Sequence, residues 1–187
     1  NRESGSLDRL ITERRSVSGN GVIRRDRAAR AILTALRRKV HVGVLLDQDV
    51  PAGSGIFVPF FGVDASTTDG VARLALATGA NIHPGFMHRD PESRFRHVIR
   101  FGPALHMDRS AEREGEVLAL TSRCNEALER TIRESPADWM WIHRRWKTRP
   151  TGEESPYPKR KRTISVAGRK GEREVRDPTG EKDRGAA

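Results

Sequence analysis

The sequence predicts an α/β fold, with a mixed, mostly parallel sheet flanked by helices. Three observations carry that expectation. Residues 41–49, HVGVLLDQD, form an apolar run that stops abruptly on Asp47, Gln48 and Asp49. Val42, Val44, Leu45 and Leu46 show little alternation, the pattern of a strand covered on both faces. The first fifty residues alternate helical and extended patterns, as βαβ units do. The third observation is a long amphipathic helix, expected over residues 112–133, which supplies a covering layer.

In chain order, residues 4–15 read as a helix with Leu7, Leu10 and Ile11 on one face, broken by the SGNG of residues 18–21. Val22 and Ile23 allow a very short strand. Residues 26–38 read as a second amphipathic helix, capped by Asp26, with Ala29, Ile32, Leu33 and Leu36 on one side and Arg37, Arg38 and Lys39 at its C-terminal end. After the run at 41–49, residues 51–55 are a loop by composition. The IFVPFF of residues 56–61 carries Pro59, which demotes it to an edge strand or extended loop. Thr67, Thr68 or Asp69 can cap a helix over about residues 69–78, and Gly79 is its natural stop. Residues 81–87 and 95–101 read as two strands joined by the turn HRDPES. In the helix over 112–133, Val117, Leu120, Cys124, Leu128 and Ile132 fall on one stripe.

The chain has 187 residues, a formal charge of +10, and 32% charged against 35% hydrophobic residues. That balance suits a domain with a modest core and an anionic partner: nucleic acid, anionic lipid or an acidic carrier protein. The surplus belongs mostly to the folded part, because residues 151–187 hold ten Lys/Arg against seven Asp/Glu. Those residues, rich in Gly, Pro and charge, read as a disordered tail, with the boundary placed at 149/150. Its KRKR at 159–162 reads as a solvated run. One cysteine, Cys124, excludes an internal disulfide and an all-cysteine metal site. The first thirty residues contain no signal peptide or membrane span, and the Asn at position 1 suggests a segment preceding it.

Asp47 is the first candidate for chemistry, because ligands of open α/β sheets bind beyond the carboxyl ends of strands. Turn capping is an equally open reading. The six histidines show no zinc spacing, and no phosphate-binding glycine loop or nucleophile elbow occurs, so no metal or cofactor is expected. Residues 136–147 hold all three tryptophans, Trp139, Trp141 and Trp146, among His143, Arg144, Arg145 and Lys147. They can pack on the core, lie at a membrane interface, or stack on single-stranded nucleic acid.

The stretch VGVLLDQDVPAGSGIFVPFFGVDASTTDGVARLALATGA at residues 42–80, then NIHPGFMHR, then PADWMWIHRRWKTRP, resembles the bacterial lipid A biosynthesis acyltransferases, over about residues 1–149. The order of the DQ pair, the FVPFFG and the terminal W-x-W-x-H-R-R-W-K makes the resemblance specific. It implies an acyltransferase-like α/β fold, placed at the cytoplasmic face of the bacterial inner membrane. It implies transfer of a fatty acyl chain from acyl carrier protein or coenzyme A to a hydroxyl of a membrane glycolipid. The family hallmark, a His followed five residues later by Asp or Glu, is missing: those positions hold Leu46, His88, Ser93, Gly102, Ala111 and Thr148. The chain is therefore expected to be the C-terminal part of such an enzyme, inactive alone.

By the same resemblance Arg15, in an R-x-x-x-G pattern, and Asp47 are the expected catalytic residues. Gln48, Phe60, Phe61 and Arg89 are the expected substrate contacts, and Trp139, Trp141, Arg144, Arg145 and Trp146 the expected membrane interface. The expected partners are anionic lipid and acyl carrier protein, with no nucleic acid. The competing expectation is a basic nucleic-acid-binding module without enzymatic activity.

Overall fold

The structure is a computed structural model that describes residues 2–24, 28–93 and 95–158. The chain divides into two units, Asn1–Tyr157 and Pro158–Ala187. Every element below belongs to the first. The expected tail lies outside the described residues beyond Pro158, as does the expected cap Asp26.

The first unit is mixed α/β. Helix α1 spans Arg2–Ser16 and α2 spans Ala28–Arg37. Strands β1 (Ile56–Phe60) and β2 (Val63–Thr67) form one antiparallel pair, with Ile56 opposite Thr67 and Phe60 opposite Val63. Helix α3 (Gly70–Thr78) follows. Strands β3 (Gly85–Arg89) and β4 (His97–Phe101) form a second antiparallel pair. Helix α4 (Arg113–Glu134) leads into a 3-10 turn, Pro136–Asp138.

The expected parallel sheet is not what the described residues form: both strand pairs are antiparallel hairpins. The run at 41–49 is extended but belongs to no ladder. A strand exists only beside a neighbour that takes up its N–H and C=O groups, and no described strand flanks this run. Nor is it covered on both faces, since Val44 and Leu45 remain 44% and 81% exposed. Val22 and Ile23 likewise form no strand.

The helices follow their sequence signals. The side chain of Glu112 accepts hydrogen bonds from the backbone N–H groups of Glu114 (2.9 Å) and Gly115 (2.6 Å), capping α4. Gly79 ends α3 in the left-handed conformation at φ 73°, its N–H returned to the Ala75 carbonyl. The Leu7, Leu10 and Ile11 face of α1 is exposed by 40–60%.

The β1–β2 hairpin was not anticipated. Its two-residue turn, Phe61–Gly62, has positive φ at both positions (52° and 76°), the geometry that matches strand twist. A phenylalanine there is strained by about 1–3 kcal/mol. Three contacts offset this: Phe61 N–H donates to Glu129 Oε1 at 2.7 Å, the ring meets Phe60 edge-on at 4.9 Å, and the Arg133 guanidinium lies 4.7 Å over it.

Two core clusters pin α4. Ala72 and Ala75 of α3 pack against Val117 and Leu120, while Phe60 and Ala65 of the first hairpin pack with Ile132. Burying a leucine such as Leu120 contributes about 1.5–3 kcal/mol. Alongside this apolar stripe runs a buried polar one, Glu116, Thr121, Asn125 and Glu129. It ties α4 to loops: Glu116 Oε1 accepts from Asp108 N–H (2.9 Å) and Arg123 (2.7 Å), and Asn125 Nδ2 donates to the Pro59 carbonyl (2.9 Å).

Candidate active site

Between α2, α3, α4, the extended run and the β3 edge lies a cavity of about 360 Å³. Its walls are largely apolar, with Ile32 and Leu36 from α2, Leu46 from the run, Leu74 from α3, and Cys124 and Leu128 from α4, and polar side chains such as Asp47, His88, Asn125 and Asp138 complete the lining. Alternate side chains of amphipathic helices and of an extended run converge here because each element presents its apolar face inward. Cys124 is on that wall, and burial pushes its thiol up to about 11.

Asp47 stands at the end of the run and lines the cavity. Its Oδ1 is buried and has no hydrogen-bond partner among the described residues. A buried carboxylate oxygen without a donor is uncommon and costly. The indole N–H of Trp139, also on the cavity wall, is likewise buried with no hydrogen-bond partner among the described residues.

The neighbouring acid behaves differently. Both oxygens of Asp49 accept hydrogen bonds from Thr148, the backbone N–H at 3.0 Å and the hydroxyl at 2.9 Å. The Asp49 N–H donates to His143 Nε2 at 2.9 Å, so that ring carries its proton on Nδ1. Val50 N–H reaches the Ser66 carbonyl at 3.4 Å. The segment 143–148 thus buckles the tip of the run onto β2.

Arg145 is the centre of that buckle and is 0% exposed. Its guanidinium donates to the Ser66 carbonyl (2.8 Å), Thr67 Oγ1 (2.6 Å) and Asn125 Oδ1 (3.4 Å), and lies 5.1 Å from the Phe60 ring centroid. Burial pulls its pKa below the usual arginine value, opposed by the charges of Asp49 and Asp47.

Of the expected catalytic pair, only Asp47 is at the cavity. Arg15 is exposed on α1 and does not line it, so the structure does not place the two in one pocket. Gln48 is exposed. Phe60 is 0% exposed and sits in the second core cluster, and neither Phe60 nor Phe61 lines the cavity. Arg89 is exposed at the end of β3, beside a shallow hollow shared with Met87, His97 and Asp138.

The aromatic and basic segment is divided, with Trp139, Arg145 and Trp146 turned inward and Met140, Trp141, Ile142 and Arg144 exposed. The Trp146 indole N–H is shared by the Phe60 and Val63 carbonyls, each at 3.2 Å, and Trp139 lines the cavity and meets the Phe60 ring at 5.7 Å. An enclosed Arg145 presents nothing to a lipid surface, which corrects its expected interfacial place. Trp141 stays 55% exposed, beside Met140 and Ile142 at 66% and 88%, and Arg144 is exposed against the Tyr157 ring.

Sequence reasoning missed the polar stripe of α4 and the structural duty of His143, Arg145 and Thr148. The signal for the stripe was present as Glu116, Thr121, Asn125 and Glu129, four or five residues apart. Two histidines also border the cavity: His83 Nδ1 lies 3.2 Å from the Gly102 carbonyl, and His88 Nδ1 lies 3.2 Å from Asp138 Oδ2. Among the described residues no cluster of three or more His, Cys, Asp or Glu is placed to hold a metal ion. Nor is any helix long and apolar enough to cross a membrane.

The sequence matches the family described as bacterial lipid A biosynthesis acyltransferase over residues 1–148. It is 33% identical over 129 residues to a lipid A biosynthesis lauroyltransferase of Escherichia coli K12, covering 68% of this chain and 40% of that protein. It is 33% identical over 153 residues to a lipid A biosynthesis palmitoleoyltransferase of the same organism, covering 81% and 47%. A lipid A biosynthesis acyltransferase of Haemophilus influenzae is 30% identical over 146 residues, covering 77% and 45%. The chain spans less than half the length of these relatives. It belongs to the bacterial lipid A biosynthesis acyltransferase family.

Proposed function

We propose that this chain supplies the acyl-binding cavity and the hydroxyl-orienting carboxylate of an acyltransferase. The enzyme moves a fatty acyl chain from a thioester donor, acyl carrier protein or coenzyme A, to a hydroxyl of a lipid A precursor or related glycolipid. The observation that carries this is the cavity itself: largely aliphatic walls with two carboxylates, Asp138, which lies 3.2 Å from His88 Nδ1, and Asp47, whose buried Oδ1 lacks a partner among the described residues. Apolar pockets with a few placed polar groups are the usual form of such sites.

In this reading the aliphatic walls hold the acyl chain. Asp47 accepts a hydrogen bond from a hydroxyl or amide N–H of the acceptor beside the reacting hydroxyl and so holds that hydroxyl for attack on the thioester carbonyl, a positioning effect that removes much of the entropy of encounter. The proton leaving that hydroxyl needs a base, and the family resemblance assigns this to histidine. The basic surface meets anionic headgroups and the acidic carrier protein by charge. Membrane association is peripheral through this chain, at the cytoplasmic face of the inner membrane, with Trp141 and Arg144 as the remaining interfacial candidates.

The test is transfer of a labelled acyl chain by the complete encoded protein from acyl carrier protein and from coenzyme A to a lipid A precursor in mixed micelles. Acylated lipid supports the reading. No transfer from either donor, together with binding of single-stranded or duplex nucleic acid that falls steeply with salt, supports the basic binding module instead.

A further inference from the structure

Helix α2 faces two ways. Ile32 and Leu36 line the cavity, while Arg30, Thr34, Arg37 and Arg38 are exposed, at the three- and four-residue spacing of one helical face. No large apolar side chain of α2 is exposed. The Thr34 hydroxyl is folded back onto the Arg30 carbonyl at 2.9 Å, so α2 offers solvent a row of guanidinium groups. Lys39 extends the row. It closes α2 at φ 59°, the left-handed conformation that glycine or asparagine normally takes, with its N–H donated to the Leu36 carbonyl at 2.9 Å. A lysine there is strained, and the chain keeps it.

These cations have no counterions within the fold. Residues 28–46 contain no Asp or Glu. Helix α3, which packs against α2, contains none either. None of the four cations makes an ion pair among the described residues, whereas Arg73, Arg123 and Arg133 are bound to Glu114, Glu116 and Glu129. The helix dipole favours a cation in the last turn, but Arg30 lies about two turns before Arg37. Mutual repulsion along such a row is relieved by an anionic partner. A bilayer calls for apolar side chains set among the cations, and the exposed face of α2 has none. Fixed cations without them fit an acidic protein surface. The row also lies beside the cavity mouth: Val44 and Leu45 line the cavity and remain 44% and 81% exposed.

We propose that Arg30, Arg37, Arg38 and Lys39 form the docking surface for an acidic protein bearing the acyl thioester, the acyl carrier protein. This rests on the acyltransferase reading and selects its donor. One face of α2 receives the carrier, and the other lines the cavity that takes the acyl chain.

The experiment compares the complete encoded protein with its Arg37→Glu/Arg38→Glu, Arg37→Gln/Arg38→Gln and Lys39→Gly variants. Binding of labelled acyl carrier protein is followed by fluorescence anisotropy. In parallel, kcat/KM is measured with one acyl chain carried on carrier protein, on coenzyme A and on pantetheine, the last with neither protein nor phosphate. Circular dichroism and thermal melting check the fold. The paired glutamates are expected to weaken carrier binding, and to lower kcat/KM with the carrier-bound donor, by about tenfold to a hundredfold at low salt, through KM. The difference closes as rising ionic strength screens the charges. Turnover of acyl-pantetheine stays within about twofold of the parent. The paired glutamines are expected to show the same loss in smaller measure, and they decide the matter where the glutamates prevent folding. Lys39→Gly relieves the strained backbone, so it is expected to weaken carrier binding without lowering the melting temperature, a combination that a purely structural lysine would not give.

Carrier binding that is absent from the parent or unchanged in the folded paired variants would overturn the proposal. So would an equal loss with acyl-pantetheine or acyl-coenzyme A, or loss of binding to anionic vesicles or nucleic acid with carrier binding intact. A parent that binds carrier protein through this row yet transfers no acyl chain is a different outcome: it upholds the docking surface and overturns the acyltransferase reading.

Discussion

Asn125→Ala tests how the polar stripe of α4 holds the site. The Asn125 side chain is 2% exposed and joins three elements. Its Nδ2 donates to the Pro59 carbonyl at 2.9 Å, and weaker contacts at 3.4 Å run to Thr67 Oγ1 and from Arg145 to Oδ1. Truncation leaves the Pro59 carbonyl without that donor, at a cost of about 1–3 kcal/mol for a buried acceptor. The small void left by the amide adds about 1 kcal/mol. The contacts at 3.4 Å lie at the limit of hydrogen-bond geometry and add little. The expected loss is about 2–4 kcal/mol. Urea unfolding followed by circular dichroism measures it, with the denaturant slope unchanged if the unfolded state is unaffected. Thr121→Val is the control, since the Thr121 hydroxyl only returns to the Val117 carbonyl one turn back on α4. Its expected cost is below about 1 kcal/mol. An Asn125→Ala protein within about 0.5 kcal/mol of the parent would refute the claim that the stripe, rather than the aliphatic faces alone, fastens α4 to the hairpin.

Acid stability should be governed by the approach to α4. Burial opposes ionisation of Glu116, but Arg123 and the Asp108 N–H outweigh it and hold the carboxyl below its ordinary 4.5. Hydroxyl and backbone donors of Ser110 lower Asp108, and the N–H groups of Glu114 and Gly115 lower Glu112. The folded state binds fewer protons than the unfolded one, so this stabilisation is complete above the ordinary carboxylate range and is lost as pH falls through the lowered native values. Thermal melts between pH 3 and 7 should show a steep acid limb that Glu116→Gln flattens; an unchanged limb contradicts the assignment. The Cys124 thiol, pushed up to about 11, should react with iodoacetamide at neutral pH on the order of a hundredfold more slowly than an exposed thiol. Reaction at the exposed rate would show that the cavity wall is open.

The helices were legible because each carries its own instructions. Gly79 stops α3, and the apolar stripe of α4 through Val117, Leu120 and Ile132 is the one buried. The hairpin of β1 and β2 was not legible: the VDAST of β2 has neither an apolar run nor aromatic residues, and a Phe–Gly turn with both φ positive lies outside ordinary turn chemistry. The run at 41–49 shows the reverse limit. Its composition suits a strand, but strand formation depends on a neighbour that composition cannot name. Asp47 was legible by its place at the end of that run. The burial of Arg145 was not, since it lies in a segment whose tryptophans and charges suit a surface as well as a core. Only burial separates Arg145 from the exposed Arg144 beside it.

The account stands on Asp47 as the polar end of an acyl-binding cavity. Its most direct test is the rate of acyl transfer to a lipid A precursor by the complete encoded protein carrying Asp47→Asn. This change keeps the volume and removes the charge. The predicted result is a loss of about a hundredfold or more in kcat in a protein whose circular dichroism and melting temperature match the parent. Parental turnover by a folded Asp47→Asn protein would contradict it.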